Sequence, residues 1–399
     1  MAGKRFYNIE GIIRNGFKLS RDYQVLDFTF TKLGDPGVEV LALSKSVRQL
    51  RRLILPGQKL TEKGAQSLAE SPHLGNVQYL KLYKNKILDE GVRHLANSPQ
   101  LKQLKSIRLG MNGIGPEGAR HIAQSENLTE VTSLILSDNP IGDEGLRHLG
   151  QAHGMPNLEI LEIKKAGITE KGVLDFVKSR HFPKLQSLTL TDNPINEEGE
   201  QAIQEFLILN RVLNRLANEG KDLDLSKLDL GDFEIQTVAK CKELENLENL
   251  YLELNAITAV GIQALAESEH LTKLTLLSLD RNKIGDEGIA HIANSENMKN
   301  LAVLMVENNG LSNEALRLIG ESENMANLTR LYLEGNQYDE EGLEHLIESE
   351  FMENLVYPVL EREEEEEEDE EEDDEEFEDI VEEEEEDEEE VFDDDDGLT

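Results

Sequence analysis

One pattern constrains this chain more than any other. The frame L-x-L-x-x-N-x-I-x-x-x-G-x-x-x-L-A returns every 27 residues, starting at Leu26, Leu53, Leu80, Ile107, Leu134, Leu161 and Leu188. A second run starts at Leu250, Leu277, Leu304 and Leu331 with the same interval. Between the runs one irregular unit is assigned to Leu228, 40 residues after Leu188 and 22 before Leu250. That makes twelve units from about Val25 to Ile347. Units of this length cannot bury an apolar face alone, so they stack into a solenoid in which each covers its neighbour.

Each column of the frame has a physical reading. The paired leucines give period-2 alternation over a short strand with one buried face. Asn85, Asn112, Asn139, Asn193, Asn255, Asn282, Asn309 and Asn336 share the next column, with Thr31, Gln58, Ala166 and Phe233 as its other members. A buried turn needs a side-chain amide there to satisfy backbone groups left unpaired as the chain leaves the strand. Three residues on, Gly34, Thr61, Gly115, Gly142, Thr169, Asn196, Thr258, Gly285, Ser312 and Asp339 suit a helix N-cap, whereas Leu88 and Gln236 do not. Acids such as Asp89-Glu90 and Asp143-Glu144 follow, where the helix dipole favours them. A small residue then recurs, Gly64, Gly91, Gly118, Gly145, Gly172 and their equivalents. Glycine inside a helix costs about 1 kcal/mol relative to alanine, so the column predicts close approach of the helix to the strand layer. The irregular stretch spaces Phe206, Leu209, Leu213 and Leu216 helically, which predicts a lengthened helix ending at Glu219-Gly220 or, alternatively, a break in curvature.

On these residues the chain resembles the leucine-rich repeat proteins, specifically the strand-helix subtype of the ribonuclease inhibitor and of the GTPase-activating protein for Ran. Its S-P-H-L and S-E-N-L links are similar to those of bacterial repeat proteins of the same subtype. The resemblance implies an α/β fold: a right-handed horseshoe solenoid with parallel strands on the concave side and helices on the convex side. The expected organisation is an N-terminal cap over residues 1–24, a solenoid over 25–345 with its irregular unit around 204–249, and a C-terminal cap over 346–360. That second cap is expected to use Phe351, Met352, Leu355, Tyr357 and Val359.

Charge separates one further segment. Residues 361–399 hold 30 Asp or Glu and one base, a charge of -29 out of the total of -42, which predicts a disordered acidic tail. At that net charge, direct binding to nucleic acid phosphates is not expected. Cys241 is the only cysteine, so no intrachain disulfide and no Cys-based zinc site can form. No apolar run approaches the roughly 18 residues of a membrane span. Met1 to Phe17 lacks the apolar core of a signal peptide. These features point to an intracellular, cytoplasmic monomer, at the nuclear periphery if the Ran-type resemblance holds.

Catalytic patterns are missing. The chain has neither a G-x-x-x-x-G-K-[ST] phosphate loop nor a G-x-S-x-G elbow, and its Gly110–Gly118 cluster falls on the repeat frame. His94, His121, His148, His291 and His345 share one column, read as a polar helix face rather than a metal ladder. Cys241, between Lys240 and Lys242, is read as an ordinary surface or half-buried thiol. No catalytic residue, metal or cofactor is assigned, and the chain is read as a non-enzyme.

Function is therefore sought on the face that the strands display. Positions flanking the strand leucines are Arg52, Tyr79, Lys81, Tyr83, Lys84, Arg108, Lys164 and Lys165 in the first half. The second half gives Asp229, Tyr251, Glu253, Asp280, Met305, Glu307, Tyr332 and Glu334. Residues 1–100 carry +7 and residues 301–360 carry -10, so the face is expected to be polarised. Tyr and Arg anchor protein interfaces, and the first reading is a scaffold that binds a protein partner on the concave face. The alternative, implied by the resemblance, is a GTPase-activating protein acting on a Ran-like small GTPase. In that family an Asn in a post-strand turn helps place the GTPase's glutamine, and the nearest match here is Asn308 with Asn309.

Overall fold

The computed structural model describes residues 9–19, 24–179 and 182–358. The acidic tail and Val359 lie outside the described residues.

A helix, α1 (Ile9–Leu19), precedes a regular alternation. The first run is β1 (Val25–Asp27), α2 (Gly34–Leu43), β2 (Arg52–Ile54), α3 (Glu62–Ala69), β3 (Tyr79–Lys81), α4 (Leu88–Ala96) and β4 (Ser106–Arg108). It continues through α5 (Pro116–Ala123), β5 (Ser133–Ile135), α6 (Gly142–Gly150), β6 (Ile160–Glu162), α7 (Glu170–Val177), β7 (Ser187–Thr189) and α8 (Glu197–Arg215). The second run is β8 (Leu216–Ala217), β9 (Asp222–Asp224), α9 (Asp232–Ala239), β10 (Asn249–Tyr251), α10 (Ala259–Ala266) and β11 (Leu276–Ser278). It ends with α11 (Gly285–Ala293), β12 (Val303–Met305), α12 (Asn313–Gly320), β13 (Arg330–Tyr332) and α13 (Glu340–Ile347).

Strands β1 to β7 form one parallel sheet in sequence order, and β9 to β13 form a second, with the two-residue β8 antiparallel to β9. Each strand leucine faces the next at the period of the frame: Leu26 opposes Leu53, Leu53 opposes Leu80, and Leu277 opposes Leu304. Neighbouring strands lie about 4.8 Å apart whereas packed helices need 8–10 Å. The strand layer is therefore the inner, concave one of a leucine-rich-repeat solenoid.

The irregular unit corrects the sequence reading. Leu223, not Leu228, pairs with Leu250, so the frame already holds 27 residues before Leu250. Phe233 and Gln236 accordingly lie inside α9 rather than in the turn and cap columns, and the cap is Gly231. The irregularity is a lengthening of one helix, α8, to 19 residues. It ends at Arg215 rather than at Glu219-Gly220, because Leu216 and Ala217 turn back to pair with β9. Phe206 of α8 packs edge-on to Phe176, 5.8 Å between ring centres, and closes the first apolar cluster. Ile208 and Val212 of the same helix open the second. Between them the buried Asn210 donates its amide to the Phe182 and Leu185 carbonyls at 3.0 and 3.2 Å.

The asparagine column forms the internal ladder that the sequence predicts. Asn85 donates to the Leu82 carbonyl at 2.8 Å and to the Leu55 carbonyl of the preceding unit at 3.0 Å, and its Oδ1 accepts from Leu60 N–H at 3.1 Å. Asn139, Asn193, Asn255, Asn282 and Asn336 repeat the arrangement. A second ladder runs along the far ends of the helices. Ser71, Ser98, Ser125, Ser268, Ser295 and Ser322 each donate to a carbonyl at the end of the preceding unit's helix, as in Ser98 Oγ to Ala69 O at 2.5 Å.

The cap column divides in two. Gly34, Leu88, Gly142 and Gly285 sit in the left-handed region at φ 64°, 55°, 61° and 59°, where only glycine carries no steric penalty. Each is followed by an aspartate that reaches the next unit. Asp35 accepts from Thr61 N–H and Oγ1–H at 2.9 and 2.7 Å, and Asp143 accepts from the same groups of Thr169 at 2.6 and 2.7 Å. Asp232 and Asp286 clamp Thr258 and Ser312 in the same way, and Asp89 accepts from the N–H of Gly115. The repeats thus work in pairs. This also corrects the reading of the small-residue column: a Cβ on Gly172 would meet Asp143 of the preceding helix, 2.9 Å from its Cα, not the strand layer. At Gly91 and Gly145 the neighbours are Ala65 and Ala119, again on the preceding helix, together with the isoleucine one turn earlier.

The described ends are covered. Ile13 and Phe17 of α1 are buried in the first cluster. At the other end Met352 is buried, and the main chain of Val356 and Tyr357 extends β13 through bonds to Thr329 and Leu331.

Candidate functional site

Strand alternation buries each leucine and turns its two neighbours to the concave side. Arg52 on β2, Tyr79 and Lys81 on β3 and Arg108 on β4 take these positions, with Tyr83 and Lys84 in the turn after β3. The structure brings three of them together. The Tyr79 ring has the Arg52 guanidinium 4.7 Å from its centre and the Arg108 guanidinium at 5.6 Å. Guanidinium groups over an aromatic ring are attracted by its electron-rich faces, so one tyrosine holds two cations from neighbouring strands. Lys81 lies opposite Arg108 in the strand register. Tyr83 is seated across Gly110, where a Cβ would fall 3.0 Å from the ring. Lys164 and Lys165 stand apart, after β6, and Lys164 lies 3.5 Å from Glu162.

The second sheet displays the opposite charge. Glu253, Asp280, Glu307 and Glu334 occupy one column, three residues after the strand leucines of β10 to β13. Asp280 accepts from the Glu307 N–H at 2.8 Å, and Ser278 Oγ donates to Glu253 at 2.9 Å. Burial first of all, then the charges of Glu307 and Glu253, push the Asp280 carboxyl up to about 6, against the opposing pull of the Glu307 N–H and Arg281. Tyr251 and Met305 are half-buried on β10 and β12. The Tyr332 ring lies 4.8 Å from that of Tyr357, tilted by 37°, and the Tyr357 hydroxyl lies 3.5 Å from Glu334. Asp229, expected beside a strand leucine, lies instead in the turn beyond β9 at φ 55°, and Asp222 and Asp224 flank Leu223.

Asn308 and Asn309 separate. Asn309 is 4% exposed, and its amide is spent on the Leu279 and Glu307 carbonyls at 2.9 and 3.0 Å. Asn308 is exposed, in the left-handed region at φ 53°. Sequence reasoning missed the serines that hold the carboxylates, Ser278 at Glu253 and Ser137 at Glu162. Their signal was a polar hydroxyl on a concave position with an acid 25 residues away.

Elsewhere the helix face is ordinary. His94 and His148 lie 3.8 Å from Glu90 and Glu144 one turn earlier on their own helices. No group of three or more metal-ligating side chains occurs among the described residues. Cys241 is buried at 2% exposure rather than at the surface, with its thiol 3.3 Å from Glu243. No helix among the described residues is long and apolar enough to cross a membrane.

Residues 24–42, 101–123, 127–150, 243–266 and 270–293 match the family model of the Leucine Rich repeat. No curated protein matches the chain. Similar solved structures include internalin C2 of Listeria monocytogenes, 19% identical over 74% of this chain and 81% of that one, with a TM-score of 0.23. The internalin inlF of the same species is 17% identical over 80% and 92%, with a TM-score of 0.26. A leucine-rich repeat protein of Leptospira interrogans is 19% identical over 78% and 72%, with a TM-score of 0.27. The five matched segments fall on the 27-residue frame and are similar there to the leucine-rich repeat.

Proposed function

We propose that the chain is a non-enzymatic scaffold that binds a protein partner on its concave face, as a monomer in the cytoplasm. One observation carries this reading. The concave face is polarised, with cations and tyrosines over β2 to β4 and a column of carboxylates after β10 to β13. These side chains are outside the asparagine and serine ladders that hold the fold, and tyrosine and arginine are the residue types that anchor interfaces. The test is photo-crosslinking in the producing cell from a benzoylphenylalanine at Ser133 on the strand face or at Lys63 on the helix face. Capture of a defined partner from Ser133 and not from Lys63 supports the reading, and the reverse pattern removes it.

The narrower reading, an activator of a Ran-like GTPase of the ribonuclease-inhibitor subtype, rests on the resemblance and on Asn308. Asn309 already serves the ladder, so the exposed Asn308 is the residue left to touch a partner. Faster GTP hydrolysis by a Ran-like GTPase, reduced by Asn308→Ala, would support it. Lack of stimulation across a panel of such GTPases leaves the scaffold.

A further inference from the structure

We infer that the Arg52–Tyr79–Arg108 clamp and the lysines beside it form a docking site for an acidic segment of a protein partner, one that presents several carboxylates along an extended chain. The inference rests on the scaffold reading above and adds the chemistry of the partner.

Three observations converge. First, Arg52, Lys81, Lys84 and Arg108 have no carboxylate at ion-pair distance among the described residues, whereas Arg93, Arg120 and Arg317 on the helix face each have one. Like charges on directly opposed strand positions are destabilising, and Lys81 faces Arg108 in the register. The unbound face therefore carries a repulsion that an anion would relieve. Second, the Nε of Arg108 is buried without a hydrogen-bond partner. The guanidinium rests over the ring of Tyr79 and has no ion-pair partner among the described residues, so it can turn towards a carboxylate, which its fork binds through two parallel bonds. Third, the aromatic surfaces are placed beforehand: Tyr79 lies between two cations and Tyr83 lies across Gly110. Little side-chain freedom is left to lose on binding.

The spread of the charges selects the ligand. They occupy three adjacent strands, about 10 Å across at the usual strand spacing, and so fit carboxylates distributed along a peptide rather than one compact phosphate. A nucleic acid would also have to lie near the carboxylate column of Glu253, Asp280, Glu307 and Glu334 on the same concave face.

The test uses the full chain and a dozen-residue fluorescein-labelled peptide of alternating Glu and Gly, with a Lys-for-Glu counterpart, inorganic phosphate and a single-stranded oligonucleotide as competitors. Fluorescence anisotropy should show binding of the Glu peptide alone, weakened as salt rises. Arg52→Glu, at an exposed position, should cut affinity about tenfold or more, the size expected for a charge-assisted hydrogen bond. Arg108→Lys should retain less of the affinity than its preserved charge would suggest, because lysine lacks the planar fork. Lys63→Glu, an equal change of charge on the helix face, should leave the affinity unchanged, and circular dichroism should show every variant folded. Equal binding of the Glu and Lys peptides, displacement by the oligonucleotide or by phosphate at equivalent charge, or unchanged affinity in folded Arg52→Glu and Lys81→Glu would each overturn the inference. Should Ser133 still capture a partner in that case, the scaffold reading stands without it.

Discussion

Replacing Asn139 by Leu removes one rung of the asparagine ladder while keeping the side chain's approximate size. The structure sets the cost. Asn139 is 1% exposed, accepts from Asn112 N–H at 2.8 Å and Ile114 N–H at 3.1 Å, and donates to the carbonyls of Leu109 at 3.0 Å and Leu136 at 2.8 Å. Not all four partners would be stranded. The Leu109 carbonyl keeps a second bond from Asn112. The next unit carries Ala166 in this column, and there the Ile141 N–H turns to the Asn139 main-chain carbonyl at 2.8 Å, a route open in principle to Ile114. Two buried groups remain without a partner, Asn112 N–H and Leu136 C=O. At about 1–2 kcal/mol each, the loss should be about 2–4 kcal/mol. Urea unfolding followed by far-ultraviolet circular dichroism measures it, since the chain has no tryptophan. The slope must be compared between variants, because repeat arrays can lose two-state behaviour. Asn282→Leu repeats the experiment in the second sheet. If both variants unfold at the wild-type midpoint, the amide ladder does not hold the turns and the argument fails.

Ala166→Asn should do the opposite, adding bonds to the carbonyls of Leu136 and Ile163 and stabilising by about 1 kcal/mol in the same assay. Gly172→Ala should destabilise by about 1–2 kcal/mol although alanine is the better helix former, because the new methyl meets the Asp143 clamp. Asp143→Ala in the same chain should recover part of that loss, which a double-mutant cycle measures. Asp280 has a folded-state pKa near 6, above its unfolded value, so the folded state binds the extra proton between about pH 4 and about pH 6. Stability should rise as pH falls through that window; the full shift corresponds to about 3 kcal/mol, which solvent screening of a half-buried group reduces to about 1 kcal/mol. Asp280→Asn should be more stable than wild type at neutral pH and should lose this part of the pH dependence.

The repeat frame was legible because three residue types are each forced by a separate physical need: leucine by the core, asparagine by the turn and glycine by helix contact. It failed where one of those marks was missing. Leu223 and Leu228 both open an L-x-L pattern, and the turn position after Leu223 holds Leu228 in place of Asn, so the residue types pointed away from the unit that the 27-residue spacing and the pairing with Leu250 select. The helix-start aspartates were read as dipole partners, a local role that any first-turn acid fills. Their clamping of the next unit is a contact with a residue 26 positions on, as from Asp89 to Gly115, which no local pattern marks. Concave positions followed from alternation alone. The gathering of Arg52 and Arg108 about Tyr79 did not, because it depends on side-chain reach across three strands.

The aspartate clamps also determine how a solenoid of this kind can change its length. Asp35 and Thr61, Asp89 and Gly115, and Asp143 and Thr169 each close a bond inside a pair of repeats. Removing one period of 27 residues would set either two clamp-bearing helices or two clamped ones side by side, so that carboxylates or cap donors lose their counterparts. Removing two periods would bring complementary ends together again. Recombination between copies in the first sheet therefore meets a mechanical filter: its products refit in steps of a pair, and odd steps leave a half-buried aspartate or a cap donor without its partner.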